Sequence, residues 1–216
     1  MENRKTNSTK ELIYLSAKRE FYEKGYKGTI KSIAERAGIP PGLVTYYFKT
    51  KNNLISEIYK DFYRKIGSLI DSYEYLNITN SLYKQIVSSH IYYGTILNDE
   101  NNRRFYMEVR AKRSSNYKLL HEVTDTIYWE YIKDFNLSIT KKEFDILMIM
   151  QSAARRDFFL YYYKNNLDMT IPEIVNTVEA IVPRLFKINQ DVVDRYLLQA
   201  QNVVKEIDYS NLKFLV

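Results

Sequence analysis

Residues 21–55 read FYEKGYKGTIKSIAERAGIPPGLVTYYFKTKNNLI and hold most of the chain's punctuation. Four of the six glycines (Gly25, Gly28, Gly38, Gly42) and two of the four prolines (Pro40, Pro41) fall between 25 and 42. Short helices joined by tight turns belong there. Just upstream, Ile13, Ala17 and Phe21 recur at i, i+4 and i+8, which predicts an amphipathic helix over 10–24 that stops at Gly25. Thr29 is placed to cap a second short helix, with Ile33, Ala34 and Ala37 inward and Gly38 as its stop. Pro40-Pro41 opens a third, since proline is tolerated in a first turn, and it runs through Val44, Tyr47 and Phe48. Thr50 or Lys51 then starts a much longer helix carrying Ile55, Ile58, Phe62, Ile66, Leu69 and Tyr73.

Outward from this stretch the pattern is helical and nothing alternates with a period of two. A helix over about 80–98 has two apolar stripes (Leu82, Ile86, Tyr93, Leu97 and Tyr83, Val87, Ile91), so it should be buried on two sides. Others are predicted over 101–114 and 117–136, the latter with Leu120, Val123, Ile127 and Tyr131. The segment 140–165 is apolar almost all round. Over 171–187, Ile171, Ile174, Val175, Val178, Ile181, Val182 and Leu185 form a broad stripe. Thr170 and Glu173 make a capping box at its start, Pro172 sits in the first turn, and Pro183 should kink or end it. A last helix is predicted over 190–208. The fold class is all-α: a three-helix N-terminal module and a larger helical body.

Charge divides the chain at the same place. Residues 1–53 hold 11 of the 32 basic and 5 of the 26 acidic residues, leaving 21 of each in 54–216. The net +6 therefore belongs to the first quarter, the footprint of an anion-binding module on a neutral body. We accordingly divide the chain into 1–53, with 1–9 expected as a flexible tail, and 54–216. The absence of cysteine excludes disulfides, thiol nucleophiles and thiolate metal sites, and fits a reducing, cytoplasmic setting. No apolar run approaches the ~20 residues of a membrane span. Two histidines, with no Glu-x-x-His pair, His-Glu-x-x-His motif, phosphate loop or Gly-x-Ser-x-Gly elbow, give no catalytic residues, metal site or cofactor.

Two short helices joined by a glycine-containing turn, the second beside basic residues, form a helix-turn-helix arrangement. A helix of Pro41–Phe48 fits the B-DNA major groove, about 12 Å wide. Gly42 lets its backbone approach the duplex, and Thr45, Tyr46 and Tyr47 present hydroxyls. Lys49 and Lys51 follow as phosphate ligands, with the free N–H groups of the next helix start beside them. Tyr47 also has a packing role open to it, one residue before the inward Phe48. The basic residues Arg4, Lys5 and Lys10 are an unspecific attraction or an arm for the minor groove.

Residues 10–58 resemble the DNA-binding domain of the tetracycline-repressor (TetR) family. The match is carried by Phe21, Gly25-Tyr26, Thr29, Ile33-Ala34, Ala37-Gly38, Gly42, Tyr47-Phe48, Lys51 and Leu54 at the family's spacing. The resemblance implies a homodimer on a palindromic operator in double-stranded DNA, released when a small-molecule effector enters the C-terminal domain. It implies that Thr29 caps the second helix beside a phosphate with Lys31 close by. It also implies that Pro40, Pro41, Gly42, Thr45 and Tyr46 face the groove, while Tyr47, Lys49 and Lys51 hold the backbone. Pro40-Pro41 stands where the family commonly has Ser-Lys, Thr45-Tyr46 where Tyr-His is frequent, and Ser32 where an acid often completes a capping box. The operator sequence is therefore not carried over.

In the body, Tyr92, Tyr93, Phe105, Tyr106, Trp129, Phe158, Phe159 and Tyr162 are either plain core or the lining of a ligand cavity, with an inward Arg110 or Glu108 meeting a charged group. Of the two histidines, His90 reads as a satisfied core group, with a metal ligand as the alternative, and His121 as a surface residue. Arg103, Arg104, Arg110, Lys112 and Arg113 cluster about the sixth helix. The apolar breadth of 140–165 and 171–187 calls for a partner, which predicts a four-helix homodimer interface with close approach at Ala153 and Ala154. The segment 190–208 joins that interface or covers the back of the body. A hydrophobic or aromatic effector suits the Tyr-rich body. The competing readings are a helical ligand-binding or adaptor protein without DNA binding, which the Pro40-Pro41 departure keeps open, and a small helical enzyme.

Overall fold

Ile13, Ala17 and Phe21 are fully buried, as their spacing requires, and the helix that carries them, α1, runs Glu2–Lys24. The structure is a computed structural model that describes residues 2–112 and 121–216, with side chains for 8–112 and 123–216. The backbone of 2–9, expected as a tail, is continuous with α1; the side chains of Arg4 and Lys5 lie outside the described residues. A 3-10 turn at Gly25–Lys27 leads to α2 (Ile30–Ala37), α3 (Pro41–Phe48) and α4 (Lys51–Asp71). The body follows as α5 (Ser81–Leu97), α6 (Glu100–Ala111), α7 (His121–Asp134), α8 (Lys141–Lys164), α9 (Ile171–Glu179), α10 (Ile181–Leu185) and α11 (Gln190–Val203). No strand occurs among the described residues, and none of their helices is long and apolar enough to cross a membrane.

The short helices are locally specified. Thr29 accepts from the Ser32 N–H while the Ser32 hydroxyl accepts from the Thr29 N–H, so serine closes the capping box without an acid. Gly38 ends α2 at φ 66°, a left-handed backbone that glycine adopts without a Cβ penalty. Thr50 caps α4 by accepting from the Asn53 N–H. Glu20 of α1, with its side chain 1% exposed, is held by Lys24 at 2.7 Å and by Arg36 of α2 at 2.9 Å. Arg36 also bridges to Glu23. Burial pushes the Glu20 carboxyl up, but hydrogen bonds from Lys24, Ser32 and Arg36 outweigh it and hold it below its ordinary value.

The two-striped α5 is the axis of the body, packed against α4, α6, α7, α9 and α11. One continuous apolar core runs from Ile13 in α1 to Leu215 near the C-terminus, crossing the division proposed at residue 53. Its last contributor follows α11. Phe214 and Leu215 are each 1% exposed, and the Phe214 ring lies 4.9 Å from Tyr59, 5.1 Å from Phe62 and 6.1 Å from Phe105. The C-terminal segment is thus a strap wedged between α4 and α6.

Over 171–187 the expected effect of Pro183 is present, and the apolar stripe is partly covered within the chain. The helix breaks at Ala180, between α9 and α10, because Pro183 removes the N–H that would reach the Glu179 carbonyl and its ring crowds that carbonyl. Of the stripe, Ile174, Val175 and Val178 are fully buried within this chain, where α9 packs on α5, while Ile171, Ile181 and Leu185 are half-buried. Exposed apolar surface lies instead on α8, at Ile146, Ile149, Met150 and Tyr161, with Ala153 and Ala154 also exposed. His90 is buried as expected, but it is not satisfied. Its Nε2 has no hydrogen-bond partner, and burial pushes its pKa down to about 4, leaving the ring neutral. His121 opens α7, and its side chain lies outside the described residues, as does Arg113 altogether.

Candidate nucleic-acid interface and buried cavity

Only Val44 and Phe48 of α3 are buried, and they anchor it against the core of the N-terminal unit. Its opposite face is open: Pro40, Pro41, Gly42, Thr45, Tyr46 and Lys49 are exposed, and Tyr46 stands 67% exposed. The Thr45 hydroxyl donates to the Gly42 carbonyl at 3.0 Å, which leaves its oxygen outward as an acceptor. Tyr47 is half-buried, edge-on to Tyr46 at 5.1 Å, so it packs and presents an edge at once. Lys49 sits at φ 62° in the turn to α4, with its ammonium 5.8 Å from the Tyr46 ring centre. Lys31 is exposed on α2 and Thr29 is exposed at its start.

Lys51 departs from this open face. Its ammonium donates to the Tyr26 carbonyl at 2.5 Å and lies 3.7 Å from the Tyr26 ring centre. Burial pushes its pKa down, and Lys112 adds to the push. The side chain therefore secures the turn before α2, and the surface it offers a phosphate is the start of α4.

Helix α6 connects this unit to the body. Arg104 donates to the carbonyls of Tyr22 at 2.8 Å and Glu23 at 2.9 Å, satisfying the C-terminal end of α1. Glu108 accepts from the Tyr26 N–H at 2.6 Å. The Tyr22 hydroxyl donates to Asp99, the N-cap of α6, at 2.9 Å. Glu108 thus reaches the N-terminal unit. The other side of the same helix carries Tyr106 and Arg110 into the body, with the Arg110 guanidinium 4.4 Å from the Tyr106 ring and 4.9 Å from Phe159.

There they meet a cavity of about 70 Å³, measured as the space open to the centre of a water molecule. Tyr93, Tyr106 and Arg110 line it, as the sequence suggested. Tyr92, Phe105, Trp129, Phe158 and Tyr162 do not. Phe105 stacks on Phe21 at 5.1 Å, Trp129 stacks on Phe144 at 4.4 Å, and Phe158 stacks on Tyr162 at 6.4 Å, all as packing. Sequence reasoning missed Tyr59 and Tyr63 of α4, Tyr128 of α7, and Gln151 and Arg155 of α8. Arg155 donates to Glu179 of α9 at 2.7 Å, to the Val178 carbonyl at 3.1 Å and to the Tyr93 hydroxyl oxygen at 3.2 Å. Burial disfavours the Arg155 charge, but Glu179 outweighs it and the guanidinium stays ionised. An arginine inside an apolar helix was the one available signal, since a buried charge needs a partner and a reason. No cluster of three metal-ligating side chains occurs among the described residues.

Comparison with known proteins agrees with this geometry. The family model described as bacterial regulatory proteins, tetR family, matches residues 13–58. The chain is 26% identical over 137 residues to the probable HTH-type transcriptional regulator YttP of Bacillus subtilis, covering 63% of this chain and 65% of that protein. It is 33% identical over 70 residues to the uncharacterized HTH-type transcriptional regulator Rv0767c of Mycobacterium tuberculosis, about a third of each chain. The matched stretch thus spans less than two thirds of the length of these relatives. Among solved structures, RolR in complex with the ligand resorcinol superposes with a TM-score of 0.53 at 13% identity, covering 92% of this chain and 95% of that one. The likeness to RolR is one of fold.

Proposed function

We propose, from the premise that this chain belongs to the tetR family of bacterial regulatory proteins, that it is a homodimeric, ligand-responsive repressor. It docks α3 in the major groove of a palindromic operator and is released when a small molecule enters the body. One observation carries this reading. The two faces of α6 grip, respectively, the end of α1 through Arg104 and Glu108 and the cavity through Tyr106 and Arg110. A ligand that displaces Tyr106 or Arg110 has an effect on the DNA-facing unit that needs no further relay.

Residues 1–53 are the DNA-binding part in this proposal, and 54–216 the sensor and dimer part. The net +6 on 1–53 supports attraction to phosphates, doubled in a dimer. Thr45 and Tyr46 read bases, and Thr29, Lys31, Tyr47, Lys49 and the start of α4 position the backbone. The exposed stripe of Ile146, Ile149 and Met150 on α8, with the small Ala153 and Ala154, supports α8 as the centre of the subunit contact. Anisotropy with duplexes from the promoter upstream of its own gene tests the whole. Salt-sensitive, sequence-selective binding by a dimer is expected. Absence of such binding would leave a ligand-binding or adaptor protein, the reading that Pro40-Pro41 keeps open by removing two N–H donors from the start of α3.

A further inference from the structure

We propose that the cavity selects a single-ring carboxylate, a molecule of the benzoate class; this rests on the effector reading above and names the chemistry of that same site. Size comes first. A cavity of about 70 Å³ for water centres holds about five or six waters, equivalent to roughly 150 Å³ of liquid, the space of one six-membered ring with a substituent. Fused rings and long acyl chains would have to extend out of it. The walls match a ring, since Tyr59, Tyr63, Tyr93, Tyr106 and Tyr128 all contribute to them.

The polar groups choose the substituent. Burial pushes the hydroxyls of Tyr59, Tyr63, Tyr106 and Tyr128 above their ordinary pKa, so they remain protonated donors. The oxygens of Tyr93 and Tyr128 already accept from Arg155, which leaves their protons to give. The Tyr106 hydroxyl and the Arg155 Nε are buried without a partner. On the acceptor side, Gln151 Oε1 is buried and unpartnered, Glu179 is turned onto Arg155, and the Asp125 carboxylate in the wall, which has contacts of its own, keeps its Oδ1 outside any hydrogen bond. Three arginines, Arg110, Arg155 and Arg156, line the space against one carboxylate, that of Asp125. A carboxylate brings two oxygens with about four lone-pair sites and a negative charge, and its hydrogen bonds to such donors are charge-assisted. An alcohol of the same size brings fewer acceptors, and an amine would meet three arginines against the single Asp125 carboxylate.

Calorimetric titration of the full chain with benzoate, benzyl alcohol, benzylamine and octanoate tests this. Benzoate should bind, and the other three at least about tenfold more weakly, the factor of a hydrogen bond to a charged group. Tyr106→Phe removes a hydroxyl that has no partner in the free protein, so it should fold unimpaired while binding benzoate about tenfold more weakly. Failure of benzoate to bind, equal binding of benzyl alcohol or octanoate, or unchanged benzoate affinity in Tyr106→Phe would each overturn the proposal. Adding operator DNA separates the two readings. Benzoate that binds through Tyr106 yet leaves the DNA bound upholds the ligand class and removes the effector role. Octanoate that releases DNA while benzoate is inert does the reverse.

Discussion

Gly25→Ala is the substitution that most directly probes the joint between the N-terminal unit and the body. Gly25 adopts φ +62°, and a Cβ built there would run into the Glu108 carboxylate. Alanine in that left-handed region costs about 1–2 kcal/mol. The collision is with the far end of a flexible side chain, so Glu108 can swing aside, but it then gives up the Tyr26 N–H at 2.6 Å. A hydrogen bond to a charged group contributes about 1.5–3 kcal/mol, so the total loss is about 2.5–5 kcal/mol. At about 2–4 °C per kcal/mol for a chain of this size, the midpoint should fall by about 5–20 °C. Urea unfolding of Gly25→Ala, Glu108→Ala and the double variant separates the two contributions. With Glu108 already gone, Gly25→Ala should cost only its backbone part, about 1–2 kcal/mol, leaving a coupling of about 1.5–3 kcal/mol. Equal costs in both backgrounds, within about 0.5 kcal/mol, would refute the contact as a joint. Glu108→Ala should also retain DNA affinity while the ligand's effect on that affinity shrinks.

Glu20→Gln should cost about 1–3 kcal/mol in urea unfolding, because Arg36 and Lys24 lose a buried charged acceptor. The folded Glu20 carboxyl titrates below its ordinary value, so its contribution is complete above about pH 4.5 and is lost as pH falls through the folded value; the variant should lose stability less steeply in that acid window. Phe214→Ala should cost about 3–5 kcal/mol by emptying the wedge between Tyr59, Phe62 and Phe105, with a ligand-free unfolding midpoint as the readout. Lys49→Ala should lower the slope of log affinity against log salt by about 0.9 on every duplex. Lys51→Met should move that slope less and destabilise the fold by about 1.5–3 kcal/mol, because its ammonium is bonded to the Tyr26 carbonyl.

Local chemistry was legible wherever a residue's role is settled by neighbours within four positions. Ile13, Ala17 and Phe21, the Thr29 and Thr170 caps and the Gly38 stop all follow from helical periodicity and end chemistry, and all are present. Ser32 as a box-closing residue was within reach of the same reasoning, since a hydroxyl accepts as a carboxylate does. The cavity was only partly legible. Tyr93 and Tyr106 line it while Tyr92 and Phe105, one residue before each, turn into plain core. A step of one residue rotates a helix by about 100°, so a short apolar run leaves open which member faces a gap. Arg155 and Glu179 meet across 24 positions, a pairing that no local rule contains.

Helix 171–187 shows why subunit contacts resist reading from pattern alone. An apolar stripe says that a surface must be covered, because exposed patches of that size are unfavourable in water. It does not say whether the cover belongs to the same chain. The deciding fact was in α5, whose two stripes were read as needing burial on two sides; that demand itself requires helices such as α9 to supply the second side. Counting faces that need cover against faces that can give it would have paired α9 with α5 and left α8 as the unmatched one. The same accounting places Phe214. The aromatic groove between Tyr59, Phe62 and Phe105 needed a plug, and the apolar run Phe214-Leu215-Val216 at the C-terminal end was there to fill it.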